Sequence, residues 1–156
     1  MPDLISDVSS LDLALAYRIH RMARRLRVHL VRLLAEHAPE ISPEQWFLLF
    51  RLHERDGRSQ SELTDPVLDD RPNVSRQVAG LIRTGHIERQ PDPADGRRFQ
   101  LFLTDAGRER VEQVLPVIVE TRRALFSSVP PDALQTFSDV LATLETELLS
   151  SEEPTA

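Results

Sequence analysis

Apolar residues recur at three- and four-residue intervals along most of this chain and give way to a short strand-like run only once. Leu15, Ile19, Met22, Leu26 and Leu33 form a near-heptad seam, which predicts a first helix over residues 11–38, with Ser9 and Ser10 as caps and Pro39 as its stop. Ser42-Pro43-Glu44-Gln45 reads as a second start: serine cap, proline in the first turn, glutamine placed to close a capping box. Trp46, Leu49, Phe50 and Leu52 then supply an apolar side, and Gly57 ends the helix. Ser59 caps a short third helix that must stop near Asp65, because Pro66 cannot continue it. Asp69 or Asp70 caps a fourth, with Pro72 in its first turn, Val74, Val78, Leu81 and Ile82 inward and Gly85 as the C-terminal stop. Ile87–Gln90 and Phe99–Leu103 flank a tip marked by Pro and Gly, which is a hairpin signal. Thr104 caps a fifth helix to about Ser127 that carries Val111, Val114, Leu115 and Ile118, and Pro116 is expected to bend it. Pro130-Pro131 breaks the chain before a last helix with Leu134, Phe137, Leu141, Leu144 and Leu148. Disorder is expected after Ser150.

The picture is mainly α with one small β-hairpin. A helix, a glycine and a hairpin with a basic tip make a winged helix. The long first, fifth and sixth helices flank it, and too little of the chain remains to cover their apolar seams. An isologous two-fold dimer is expected to cover them. The 156 residues are a one-domain length.

Composition narrows the classes. There is no cysteine, which removes disulfides, thiolate metal sites and thiol redox sensing. No apolar run is long enough to span a membrane, and the start lacks a signal peptide's basic segment, so a cytoplasmic protein is expected. His20, His29, His37, His53 and His86 form no tight ligand cluster, so no metal or cofactor is expected. With no Gly-rich phosphate loop, His-Glu-x-x-His or Gly-x-Ser-x-Gly, an enzyme is not expected. The net charge of −6 argues against indiscriminate nucleic-acid binding. Its distribution matters more: between Arg71 and Arg98 six arginines face three acids, while the residues after Asp139 carry only acids. All 19 basic residues are arginine, which we read as codon bias rather than function.

The charge sits where the chemistry is. On the fourth helix Arg71, Asn73, Ser75, Arg76 and Gln77 lie off the apolar side, and these are the side-chain types that read base edges in a major groove. Ser59 and Ser61 begin the third helix, where hydroxyl and backbone N–H groups can hold phosphate. At the hairpin tip Arg97 and Arg98 accompany Asp92 and Asp95. Arginine on a projecting hairpin suits a narrow, electronegative minor groove, and Asp95 can orient the Arg97 guanidinium by a forked pair. Because successive strand residues point oppositely, one arginine should face DNA while the other pairs with an acid.

The order and spacing of these elements resemble the MarR family of bacterial transcriptional regulators. In that family the wing carries Asp-x-Arg, five residues, then Leu-Thr; here these are Asp95, Arg97, Leu103 and Thr104. The similarity extends to Gly107, Ser59-Gln60-Ser61-Glu62-Leu63 and Asn73-Val74-Ser75-Arg76, and covers nearly the whole chain. The resemblance implies a winged helix-turn-helix over 42–103 and dimerisation helices over 11–38 and 104–150 of a single MarR-like chain, 1–156. It implies a homodimer on a pseudo-palindromic double-stranded DNA operator. It also implies a repressor released by a small aromatic or anionic effector, for which Tyr17, His20, Arg21, Arg24 and Trp46 are the candidates. The competing reading is a winged-helix protein-interaction module without specific DNA binding.

Overall fold

The computed structural model describes residues 14–64 and 71–152. Six helices and one hairpin follow in the order α1 (Leu15–His37), α2 (Pro43–Glu54), α3 (Gln60–Leu63), α4 (Arg71–Arg83), β1 (Ile87–Pro91), β2 (Phe99–Leu103), α5 (Asp105–Phe126) and α6 (Pro131–Glu152). The expected caps at Ser9, Ser10, Asp69 and Asp70 and the stop at Pro66 lie outside the described residues. α1 begins later than residue 11: Ala14 is extended, at φ −62° and ψ 118°, and makes no side-chain cap bond. α6 runs two residues past Ser150.

Local signals act where local chemistry suffices. Ser42 and Gln45 form a reciprocal capping box: the Gln45 N–H donates to Ser42 Oγ at 3.2 Å and the Ser42 N–H donates to Gln45 Oε1 at 3.0 Å. Gly85 closes α4 at φ 74°, a region that glycine enters without steric cost. α2 has already ended at the extended Arg55, so Gly57, also at φ 74°, is not its stop and instead pairs its N–H with the hairpin. Thr104 caps α5, accepting from the Gly107 N–H at 3.1 Å, and its hydroxyl donates to the Gly85 carbonyl at 2.6 Å. α5 is continuous through Pro116, which is exposed.

β1 and β2 pair antiparallel in the register Ile87↔Leu103, Arg89↔Leu101 and Pro91↔Phe99. A short third element joins them. Arg58 bridges to Leu101, with the Leu101 N–H donating to the Arg58 carbonyl at 2.9 Å and the Gly57 N–H to the Leu101 carbonyl at 3.0 Å. Asp56 adds a side-chain tie, accepting from the Leu103 N–H at 2.9 Å and pairing with Arg108 of α5.

The chain divides into two compact units after Ile118. The first closes around one apolar core. α1 contributes Leu30, Leu33 and Leu34; α2 contributes Trp46, Leu48, Leu49 and Leu52; α3 contributes Leu63. Val74, Val78 and Leu81 of α4, Ile87, Leu101 and Leu103 of the hairpin, and Val111, Val114 and Ile118 of α5 complete it. Gly107 sits where a side chain could not: a Cβ there would lie 2.0 Å from the His86 carbonyl oxygen. The start of α5 therefore packs directly on the backbone that joins α4 to the hairpin. Toward its N-terminus α1 leaves Met22 and Leu26 exposed. The second unit holds the end of α5 and α6, with Phe137, Val140, Leu144, Leu148 and Leu149 exposed.

Candidate nucleic-acid interface

α4 has a dry and a wet side, as its pattern requires. Val74, Val78 and Leu81 are buried and Ile82 packs at the core's edge. Arg71, Ser75 and Arg76 are exposed, and Asn73 and Gln77 are half-buried beside them. Gln77 Nε2 donates to Asn73 Oδ1 at 3.4 Å, one helical turn away. Gln60, which enters the sequence pattern only as part of the run Ser59–Leu63, donates from Nε2 to Ser75 Oγ at 2.9 Å and ties α3 to α4. Only an adjacency in space gives Gln60 that role, and nothing in the sequence announces it. The Arg76 guanidinium is solvent-exposed and has no ion pair among the described residues.

Ser59 is more occupied than its sequence position suggests. Its hydroxyl accepts from the Glu62 N–H at 3.3 Å, and its own N–H donates to Glu62 Oε2 at 2.7 Å. Glu62 also pairs with Arg55 at 2.6 Å. The Ser59 backbone and hydroxyl bonds, with Arg55 behind them, hold the Glu62 carboxyl below the usual carboxylate range. α3 is four residues long, so its N-terminus offers little aligned dipole. Ser61 is exposed on it.

The wing tip departs from the expected forked pair. Asp95 does not grip the Arg97 guanidinium. Its Oδ1 accepts from the Arg97 backbone N–H at 3.0 Å, and its Oδ2 lies 3.4 Å from Arg98 Nε. The reason is turn geometry. Arg98 N–H donates to the Asp95 carbonyl at 2.8 Å, closing a tight turn that brings the residue three places on, rather than two, back over the carboxylate. Arg97 is left exposed, with no ion pair among the described residues. Asp92 braces the tip: its Oδ1 accepts from the Ala94 N–H at 2.8 Å and its Oδ2 from Gln100 Nε2 at 3.3 Å.

The effector candidates are not all brought together. Tyr17, His20 and Arg24 are exposed on α1, with the Arg21 guanidinium 5.6 Å from the Tyr17 ring centroid. Trp46 is not with them at the surface. It is 2% exposed and stacks on Phe50 with ring centroids 6.2 Å apart, so it is a core residue.

A helix with a polar outward side, a short helix tied to it and a two-stranded wing with a bare arginine at its tip now stand in one unit. The MarR family profile matches residues 40–98, the span from α2 to the wing tip. Over 108 residues, 69% of this chain and 66% of that one, the chain is 31% identical to YdgJ of Bacillus subtilis (strain 168), an uncharacterized HTH-type transcriptional regulator. Among solved structures it resembles the transcriptional repressor CouR bound to a 23-mer DNA duplex, with a TM-score of 0.73 and 26% identity, covering 84% of this chain and 92% of that one. It also resembles the PcaV regulator of Streptomyces coelicolor in complex with its natural ligand, at a TM-score of 0.69 and 25% identity over 91% of this chain and 98% of that one.

The chain belongs to the MarR family. It is a DNA-binding transcriptional regulator of the winged-helix class, and its relatives are regulators rather than enzymes. Among the described residues no helix is long and apolar enough to cross a membrane, and no three His, Asp or Glu side chains converge on a metal position.

Proposed function

We propose that this MarR-family protein acts as a homodimer on a pseudo-palindromic operator and represses transcription until a small aromatic or anionic effector releases it. The observation that carries the DNA reading is the pairing of two features in one compact unit. α4 turns Arg71, Asn73, Ser75, Arg76 and Gln77 away from the core, and the wing presents Arg97 without a competing carboxylate. The first set suits base edges and phosphates in a major groove and the second suits a narrow minor groove. Ser61 adds a phosphate-binding hydroxyl beside α4, where Ser59 is held by its bonds to Glu62, and Arg98 and Asp95 shape the tip. This reading places the protein in the bacterial cytoplasm, with the chromosome.

The dimer rests on exposed apolar surface. Leu134 and Leu141 of α6 are half-buried, and Phe137, Leu144 and Leu148 on the same side are exposed, as are Met22 and Leu26 of α1. A second copy is the partner that covers such seams symmetrically. The effector reading rests on the exposed Tyr17, His20 and Arg24 with the half-buried Arg21 over the Tyr17 ring, and on PcaV, which was solved with its natural ligand.

Selecting bound duplexes from a random library tests the core of this. Recovered sequences with two inverted half-sites about one helical turn apart support a dimeric reader. Affinity that is independent of sequence, or absent, overturns it and favours a protein-interaction module.

A further inference from the structure

The two sides of the wing differ in chemistry. Cross-strand partners share a side of the sheet, so Ile87/Leu103, Arg89/Leu101 and Pro91/Phe99 form one side, from the body toward the tip. Glu88/Phe102 and Gln90/Gln100 form the other. The Asp92 N–H donates to the Arg98 carbonyl at 3.0 Å, which extends the ladder and adds Asp92 and Arg98 to that second side.

The second side is self-satisfied. Gln90 bonds Glu88 at 2.8 Å, Gln100 bonds Asp92 at 3.3 Å, and Arg98 pairs with Asp95. The first side is not. It begins as part of the core, with Ile87 and Leu103 buried and Leu101 2% exposed. Two residues further out on the same side Phe99 is 52% exposed, against an exposed Pro91. Arg89 lies between them and the body, exposed and with no ion pair among the described residues. No carboxylate occurs on this side of the two strands. The apolar side of the hairpin thus runs out past the body it packs on, bordered by Arg89 on one end and Arg97 on the other.

We propose that Phe99, with its cross-strand partner Pro91 beside it, is a duplex-contacting plate that lies against deoxyribose rings along the groove wall while Arg89 takes an adjoining phosphate. The proposal rests on the DNA-binding reading and extends it to residues that the wing tip does not include. The occupant follows from the surroundings. An apolar ring between two uncompensated guanidiniums matches a surface on which apolar sugar edges alternate with anionic phosphates. An acidic protein surface would satisfy the arginines and leave the ring without a partner. Because sugar edges are common to all nucleotides, the plate adds affinity and fixes how deeply the wing sits, and it reads no base directly.

The test uses the full chain on a duplex recovered by selection, with dissociation constants measured at several salt concentrations. Phe99→Ala should bind about fivefold more weakly, as expected for exposing roughly half a phenylalanine. The slope of log affinity against log salt should match the parent, since no charge is lost. Phe99→Leu should recover part of the loss. Arg89→Ala should flatten the slope by about 0.9, one phosphate contact. Gln90→Ala, on the self-satisfied side, should bind as the parent does. Melting temperatures within error of the parent show that the half-exposed ring was not holding the fold. Parental affinity for Phe99→Ala, with Arg97→Ala weakened, overturns the plate and leaves the wing reading standing. A loss for Gln90→Ala equal to that for Phe99→Ala also overturns it, because the wing would then present its other side. Failure of the parent to select any duplex overturns the DNA-binding reading itself.

Discussion

α4 and α6 are both helices with an apolar stripe, and they meet opposite fates. In α4, Val74, Val78 and Leu81 are 2%, 0% and 0% exposed, covered by α2, α3 and the hairpin of the same unit. In α6, Phe137, Leu144 and Leu148 are 53%, 39% and 64% exposed. The periodicity that identifies a dry side is the same in both. It does not say what keeps that side dry. For α4 the answer lies within the chain, so its stability should be a property of one molecule. For α6 we propose that it lies in a second copy, so its contribution should depend on concentration.

The strongest way to break this contrast is to damage both stripes and compare. Leu81→Ala should lower unfolding free energy by about 2–5 kcal/mol, the usual cost of emptying a fully closed leucine site. In urea denaturation that loss should be the same at low and high protein concentration. Leu141→Glu together with Leu144→Glu should act differently. Each leucine carries roughly 1.5–3 kcal/mol of burial if a partner covers it. The parent should scatter light at twice the chain mass at micromolar concentration and melt higher as concentration rises. The double variant should scatter at one chain mass and melt independently of concentration. A parent that is monomeric throughout would sink the proposed architecture.

The wet sides sharpen the same contrast, because α4 has a functional reason to leave its polar side bare. Arg76→Ala should cost about 1–3 kcal/mol on the preferred duplex and relax preference at a single position if the guanidinium reads a base. A uniform loss over all duplexes would instead place it on phosphate. At the tip, Asp95→Ala should be milder than Arg97→Ala. Asp95 holds the Arg97 backbone N–H and the Arg98 side chain, and so shapes the turn without holding the Arg97 guanidinium. Duplexes that share one core but differ in A·T-rich flanks, compared at fixed salt, separate these effects.

What was legible in the sequence follows the reach of each interaction. The capping box at Ser42 was written within four residues, and the structure forms it as read. Gly85, read as a helix stop, closes α4 at a positive φ for the same reason, whereas Gly57, read as the stop of α2, lies beyond a helix that Arg55 has already ended. Gly107 was recognisable only by family likeness, and its physical cause, the His86 carbonyl against the start of α5, appears in space. The Arg58–Leu101 bridge spans 43 positions with one pair and leaves no periodic trace. Trp46 has the residue type of a ligand platform, and only its burial decides that it is core. At the wing the spacing Asp95-x-Arg97 suggested the wrong ion pair, because a tight turn brings the third residue round rather than the second. The same alternation argument, carried further down the strands, is what separates Phe99 and Arg89 from their self-satisfied neighbours.

The smallest expected effect concerns the junction on which both the wing and α4 depend. The His86 ring is 8% exposed, with Nδ1 2.8 Å from Thr84 Oγ1 and Nε2 4.0 Å from Glu40 Oε1, and Glu40 is paired with Arg110 at 2.8 Å. Burial pushes the imidazole below its ordinary value of 6.5; Glu40 opposes this and Arg110 reinforces it. The sign then follows. Well above pH 6.5 the ring is neutral in both the folded and unfolded chain, and its contribution to stability is fully present. As the pH falls below that value the unfolded chain takes up the proton first. Stability is lost until the folded chain is protonated as well. Urea denaturation of the parent from neutral pH downward should show this decline, and His86→Gln, which cannot titrate, should show a shallower one. A parent that gains stability over His86→Gln on acidification would mean that Glu40 outweighs burial, and that the ring is held as a charged partner of that carboxylate.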